Sequence, residues 1–128
     1  MSELQYFKIL EDHGEYRPVG RVSLDQMTQL VASALTFARE QHVKNLLVVT
    51  SDLIGFEPPL LPERYFFVKT WARAAGRTVR AAFVALPKMI DEQKFGVTVA
   101  ENNGFAADIF PTEEEALAWL HQRPAKKP

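Results

Sequence analysis

The chain contains no cysteine, which removes disulfides, thiolate nucleophiles and thiolate metal ligands together. The absence suits a reducing compartment. Long apolar runs are also missing. The longest, Leu46–Val49 and Ala81–Leu86, fall far short of the ~20 residues of a membrane-spanning helix. Residues Met1 to Gln5 show no basic stretch followed by an apolar one. No secretory signal is expected, and the expected location is the cytoplasm. Excess positive charge is lacking as well, since the formal net charge is −1. That argues against a general nucleic-acid binder. There is no glycine-rich phosphate loop and no nucleophile elbow, so nothing local marks an enzyme or a cofactor site. Acid–base pairs built from distant segments leave no such local mark.

What is present is a series of regular elements. The 128 residues fit one domain, expected over 1–123, with a disordered tail at 124–128. Residues 4–11 alternate weakly and predict a strand. Asp12-His13-Gly14-Glu15 predicts a turn. Tyr16 to Val22 predicts a second strand, at an edge or bulged at Pro18, which has no N–H to give a ladder. Ser23-Leu24-Asp25-Gln26 has the capping-box pattern, and Leu24, Met27, Leu30, Val31, Ala34, Leu35, Phe37 and Ala38 share one helical stripe. Asn45–Thr50 and Val79–Leu86 predict strands covered on both faces. Between them, residues 51–61 form a loop, and a helix runs from Pro62 to about Ala75, closed by Gly76. A third helix is predicted after Pro87, ending near Gly104. A short strand follows at Ala107–Phe110. Thr112-Glu113-Glu114-Glu115 is a second capping-box pattern and opens a helix reaching about Gln122, with Ala116, Leu117, Trp119 and Leu120 as its core stripe. The order β-β-α-β-α-β-α-β-α predicts an α/β fold with a mixed, mostly parallel sheet of about five strands and four helices.

The closing segment Phe110-Pro111-Thr112-Glu113-Glu114-Glu115-Ala116-Leu117-Ala118-Trp119-Leu120, together with Val19–Ser23 and Lys94–Gly104, resembles the SpoIIAA-like family of the STAS superfamily. The resemblance spans most of the chain and implies a STAS-like α/β fold. It also implies a non-catalytic regulatory module that recognises partners near the helix after the central strand. The phosphorylatable Ser of that superfamily, usually within Asp-Ser-Ser/Thr-Gly, has no counterpart here. The comparable stretch is Asp52-Leu53-Ile54-Gly55-Phe56-Glu57-Pro58-Pro59, and the phosphorylation switch is not carried over.

Two site readings follow from misplaced hydrophobic residues. Phe66 projects away from the core stripe of the second helix, beside Lys69, Thr70 and Arg73. Phe95 and Val99 leave the stripe of the third helix and stand one turn apart. The first reading makes Phe66, Phe95 and Val99 the anchors of a protein or homodimer interface, with Lys69 and Arg73 on its rim. Two bland explanations stand beside it: the loop covers Phe66, or the third helix is buried on two sides. The second reading places an apolar pocket under residues 53–61. There Phe56, Leu60 and Leu61 form the roof, and Arg64 or Arg73 meets the head group of a small acidic or lipid-like ligand. The three histidines, His13, His42 and His121, lie in separate elements without helical i, i+4 partners, so no metal site is expected. Charge is unevenly spread, with Arg64, Lys69, Arg73, Arg77 and Arg80 in one stretch and Glu101, Asp108 and Glu113–Glu115 in another.

Overall fold

The computed structural model describes residues 4–122; the tail expected at 124–128 lies outside them. Strand β1 (Phe7–Ile9) turns back antiparallel onto β2 (Gly14–Tyr16). Gly14 suits this place because a Cβ there would stand 2.9 Å from a Val43 methyl. The strand predicted over Tyr16–Val22 is broken at Pro18. The ladder stops at Tyr16, and the chain resumes at β3 (Gly20–Arg21), which pairs with β5 (Leu53–Ile54) in a small separate sheet. Pro18 thus ends the strand rather than bulging it, and β2 is an inner strand.

Helix α1 (Leu24–Glu40) begins with the expected box, Ser23 Oγ accepting from the Gln26 N–H and the Gln26 side chain accepting from the Ser23 N–H. Strand β4 (Asn45–Val49), helix α2 (Leu61–Ala75), strand β6 (Arg80–Val84), helix α3 (Phe95–Asn102), strand β7 (Ala107–Phe110) and helix α4 (Glu113–His121) follow. The main sheet runs β1-β2-β4-β6-β7, and all its pairs beyond the opening hairpin are parallel. The architecture is α/β, with four helices and a mostly parallel five-stranded sheet. No helix among the described residues is long and apolar enough to cross a membrane.

Strand order that simply follows the chain has a consequence. Crossovers of one hand, stepping always in one direction, lay their helices on a single face. Accordingly α1, α2 and α3 share one core with Tyr16, Leu46, Val48, Ala81, Phe83 and Ala107. The alternate strand residues Leu47, Val49, Ala82 and Val84 point to the other face, where α4 covers them with Ala116 and Leu120. Sheet positions buried on both faces explain why β4 and β6 are unbroken apolar runs.

The third helix is shorter than predicted. Residues Pro87–Met89 form one 3₁₀ turn, and α3 starts only at Phe95, whose N–H is taken by Asp91 Oδ2 at 2.7 Å. Gly96 therefore falls in its first turn, where it costs little helix stability.

Helix α4 is tied to the sheet by two arginines. Arg17, at the end of β2, donates from both terminal nitrogens to the Glu113 carboxylate, one at 2.7 Å, and its Nε donates to Glu15. At the other end, Arg80 Nη1 donates to the Leu120 carbonyl at 3.1 Å, and its guanidinium lies 4.4 Å from the Trp119 ring centroid. The hydrogen bonds from Arg17 hold the Glu113 carboxyl below its ordinary value of 4.5. A depressed carboxyl contributes stability above its unfolded pKa and loses it as pH falls through the folded one. Both side chains are about two-fifths exposed, so the contribution is about 1 kcal/mol or less after solvent screening. Arg17→Met is expected to lower the melting midpoint at pH 7, with a deficit that shrinks as pH falls below the ordinary carboxyl value of 4.5. Parallel melts across that range check it, and an equal deficit at both ends would contradict the assignment.

Candidate apolar binding cleft

The carboxyl ends of parallel strands are where open α/β sheets form crevices. Here the ends of β4, β6 and β7 open into an apolar cavity of about 100 Å³. Its floor is Phe83, Ala85, Ala107 and Ile109 from the sheet. One wall is α2, through Phe67, Val68 and Trp71; the opposite wall is α3, through Gly96, Val97 and Ala100. Leu53, Phe56 and Pro59 close the top. Trp71 is held on both sides and by its nitrogen. Its ring stacks on Phe83 at 5.0 Å and 16°, lies 4.6 Å from Phe67, and donates Nε1–H to the Thr28 carbonyl at 3.0 Å.

Gly55 sets the path of the roof. It has φ +105°, and a Cβ there would meet the Val22 carbonyl oxygen at 2.6 Å. Only glycine fits this left-handed position against backbone. The Val22 N–H bonds to the Ile54 carbonyl at 2.8 Å, which anchors the start of the roof to β3.

The cleft carries few polar groups, and most are committed. Asp91 caps α3. Thr50 Oγ1 donates to the Val84 carbonyl at 3.0 Å. Lys94 Nζ pairs with Asp108 Oδ1 at 2.7 Å and lies 5.0 Å from the Phe110 ring centroid. Lys94 also takes a left-handed backbone, φ 51° and ψ 48°, a conformation that a non-glycine residue holds only where its surroundings require it. Arg64 is different. This half-buried guanidinium lines the cleft, and one of its nitrogens donates to the Met89 carbonyl at 3.1 Å. A guanidinium has five N–H donors, so most of its capacity is left for an anionic group.

No family model matches this chain, and no curated protein matches it.

The residues named from the sequence are thus partly regrouped. Phe56 and Arg64 line the cleft together. Leu60 and Leu61 do not: they are 69% and 54% exposed, at the N-cap and first residue of α2, so they stand outside the roof. Arg73 lies away from this cleft, beside a second, polar depression with Lys69 and Arg77. Phe66 is 70% exposed, so the loop does not cover it. Val99 is 5% exposed and sits in the core, with Phe95 half-buried against it. The exposed Phe95–Val99 patch is therefore not there. Helix α3 is wedged between α2 and β7, and both of its faces meet apolar neighbours. Met89, Lys94 and Asp108 are cleft residues that sequence reading missed; no spacing rule joins segments this far apart. The basic stretch is split the same way, with Arg64 in the cleft and Arg80 capping α4.

The fold also brings together Asp12, His13 and His121, one potential ligand atom from each lying within 4.8 Å of the others. The three come from a hairpin turn and the far end of the last helix. The absence of helical His pairs gave no warning of this.

Proposed function

We propose that the protein is a non-catalytic binding module whose site is the apolar cleft, and that its ligand is a small molecule with a short apolar tail and an acidic head. The observation that carries this reading is the uncommitted capacity of Arg64 at an otherwise apolar cavity. Apolar walls supply affinity, and one placed cation supplies orientation. A carboxylate or phosphate matches the guanidinium fork. The cavity of about 100 Å³ is smaller than the ~150 Å³ that holds a benzene ring, so the tail that enters is a few carbons long. A thermal-shift series of straight-chain carboxylates tests this. Stabilisation that rises with chain length and vanishes for the matching alcohols supports it. No stabilisation by any acid, or equal stabilisation by acid and alcohol, overturns it.

A second reading rests on a different observation. Leu60, Leu61, Tyr65 and Phe66 are all exposed at the start of α2. Leu61 and Tyr65 stand one turn apart, and Lys69 Nζ lies 5.2 Å from the Tyr65 ring centroid. A run of large apolar side chains beside cations is suited to protein docking. The resemblance to STAS domains supports recognition through this helix, by a cytoplasmic regulatory partner or by a second copy in a homodimer. Light scattering decides the homodimer form. A dimeric wild type that becomes monomeric on Phe66→Asp supports it, and a monomeric wild type contradicts it.

A further inference from the structure

We infer that Asp12, His13 and His121 form a binding site for a borderline divalent transition metal ion such as Zn²⁺. The Asp12 carboxylate already bridges both rings: Oδ1 is 2.7 Å from His13 Nδ1, and Oδ2 is 3.1 Å from His121 Nε2. The two rings meet edge to face with centroids 5.8 Å apart. Zn²⁺ with ligands at about 2.0–2.1 Å in tetrahedral array needs ligand atoms about 3.3 Å from one another. The two carboxylate–imidazole separations, 2.7 and 3.1 Å, fall a little below that value, and one ligand atom from each residue lies within 4.8 Å of the others. The exposed side chains of His121 and Asp12 have room to rotate toward those spacings.

The surroundings favour a cation. The Leu10 N–H bonds to the His13 carbonyl at 2.8 Å, closing the turn that presents Asp12 and His13. The His13 side chain is only 10% exposed, so its ring is held, whereas those of His121 and Asp12 are 50% and 61% exposed and open to an incoming ion. His121 is the last residue of α4, where the helix dipole is negative and a positive charge is stabilised. Zn²⁺ would take the place of the hydrogens between imidazole and carboxylate, each ring presenting that nitrogen's lone pair and carrying its N–H on the other nitrogen. Two nitrogens and one oxygen leave at least one coordination position for water or a small anion, as in metal sites that are not closed. The bound ion would also staple the β1–β2 turn to the last helix.

Isothermal titration with ZnCl₂ at pH 7.5, on chelator-treated protein, tests the site. The expected result is saturable binding of one Zn²⁺ per chain, with a rise in melting midpoint of at least about 5 °C at a hundredfold excess over the dissociation constant. His121→Ala, at an exposed position, is expected to weaken binding at least about tenfold while leaving the metal-free melt near wild type. Asp12→Asn should weaken it in the same direction. His42→Asn, at the third histidine, at the exposed end of α1, should bind as wild type. Failure of the wild type to bind Zn²⁺ saturably would overturn the site. So would a His121→Ala protein that binds like wild type, or a His42→Asn protein that does not.

Discussion

Trp71→Ala is expected to destabilise the protein by about 3–5 kcal/mol, the range for removing a large buried aromatic side chain. Its ring is 6% exposed and joins three elements, α2 through its own backbone, β6 through Phe83 and α1 through the Thr28 carbonyl. Truncation would enlarge the cleft, because Trp71 already lines it and nothing stands ready to fill the gap. Trp71→Phe keeps most of the stack and removes the Nε1–H donor. Its cost should be smaller, about 1–2 kcal/mol. Denaturant melts of the three proteins check both numbers. A loss under 1 kcal/mol for Trp71→Ala would mean that the cleft wall collapses without penalty, and the wall would then be too soft to shape a site.

Arg64→Glu is expected to abolish recognition of acidic ligands with little loss of fold stability. The hydrogen bond to the Met89 carbonyl is worth about 1 kcal/mol net. Removing the partner of a desolvated anion costs 2–5 kcal/mol in binding, roughly 30-fold or more, and a carboxylate in its place adds repulsion. Arg64→Gln, which retains a donor but not the charge, should fall between. Calorimetric titration with pentanoate gives both dissociation constants. Equal affinity for wild type and Arg64→Glu would remove the acidic head group from the account and leave only an apolar cleft.

The two expected losses fall on different readouts because the two residues do different physical work. Trp71 is packing; Arg64 is an ion held at the rim of that packing. The division shows how much the sequence could reveal. Helix α1 was legible to its cap, since the Ser23–Gln26 pair and the stripe from Leu24 to Ala38 are local signals. Strand β7 was legible to the residue, and α4 came out as its acidic start and apolar stripe imply. Its reciprocal cap is half formed: Thr112 accepts from the Glu115 N–H, and the return bond is not made. Helix α3 is shorter than its pattern implies because Pro87 starts a 3₁₀ turn that fits a helix start equally well. Val99 departs from the rule that a surface helix buries one stripe. A helix packed on both α2 and a sheet edge buries more than that.

The sites were less legible than the elements. Phe56 and Arg64 could be paired because the roof and the second helix are nearly contiguous in the chain. Lys94 and Asp108 reach the same cleft from across two crossovers, and Asp12 and His121 meet from opposite ends of the described chain. Sheet order places those partners, and sheet order is not written in any local spacing.

The two tryptophans offer a direct view of the cleft. Trp71 lines it, whereas Trp119 packs with α4 on the opposite face of the sheet. In a Trp119→Phe protein, Trp71 is the sole indole, and its emission reports occupancy of the cavity. Titration of this protein with pentanoate is expected to shift the Trp71 emission saturably, and Arg64→Glu in the same background is expected to remove the shift. Emission unchanged by any straight-chain acid from propanoate to octanoate, with the fold intact by circular dichroism, would contradict the assignment of this cleft as the binding site.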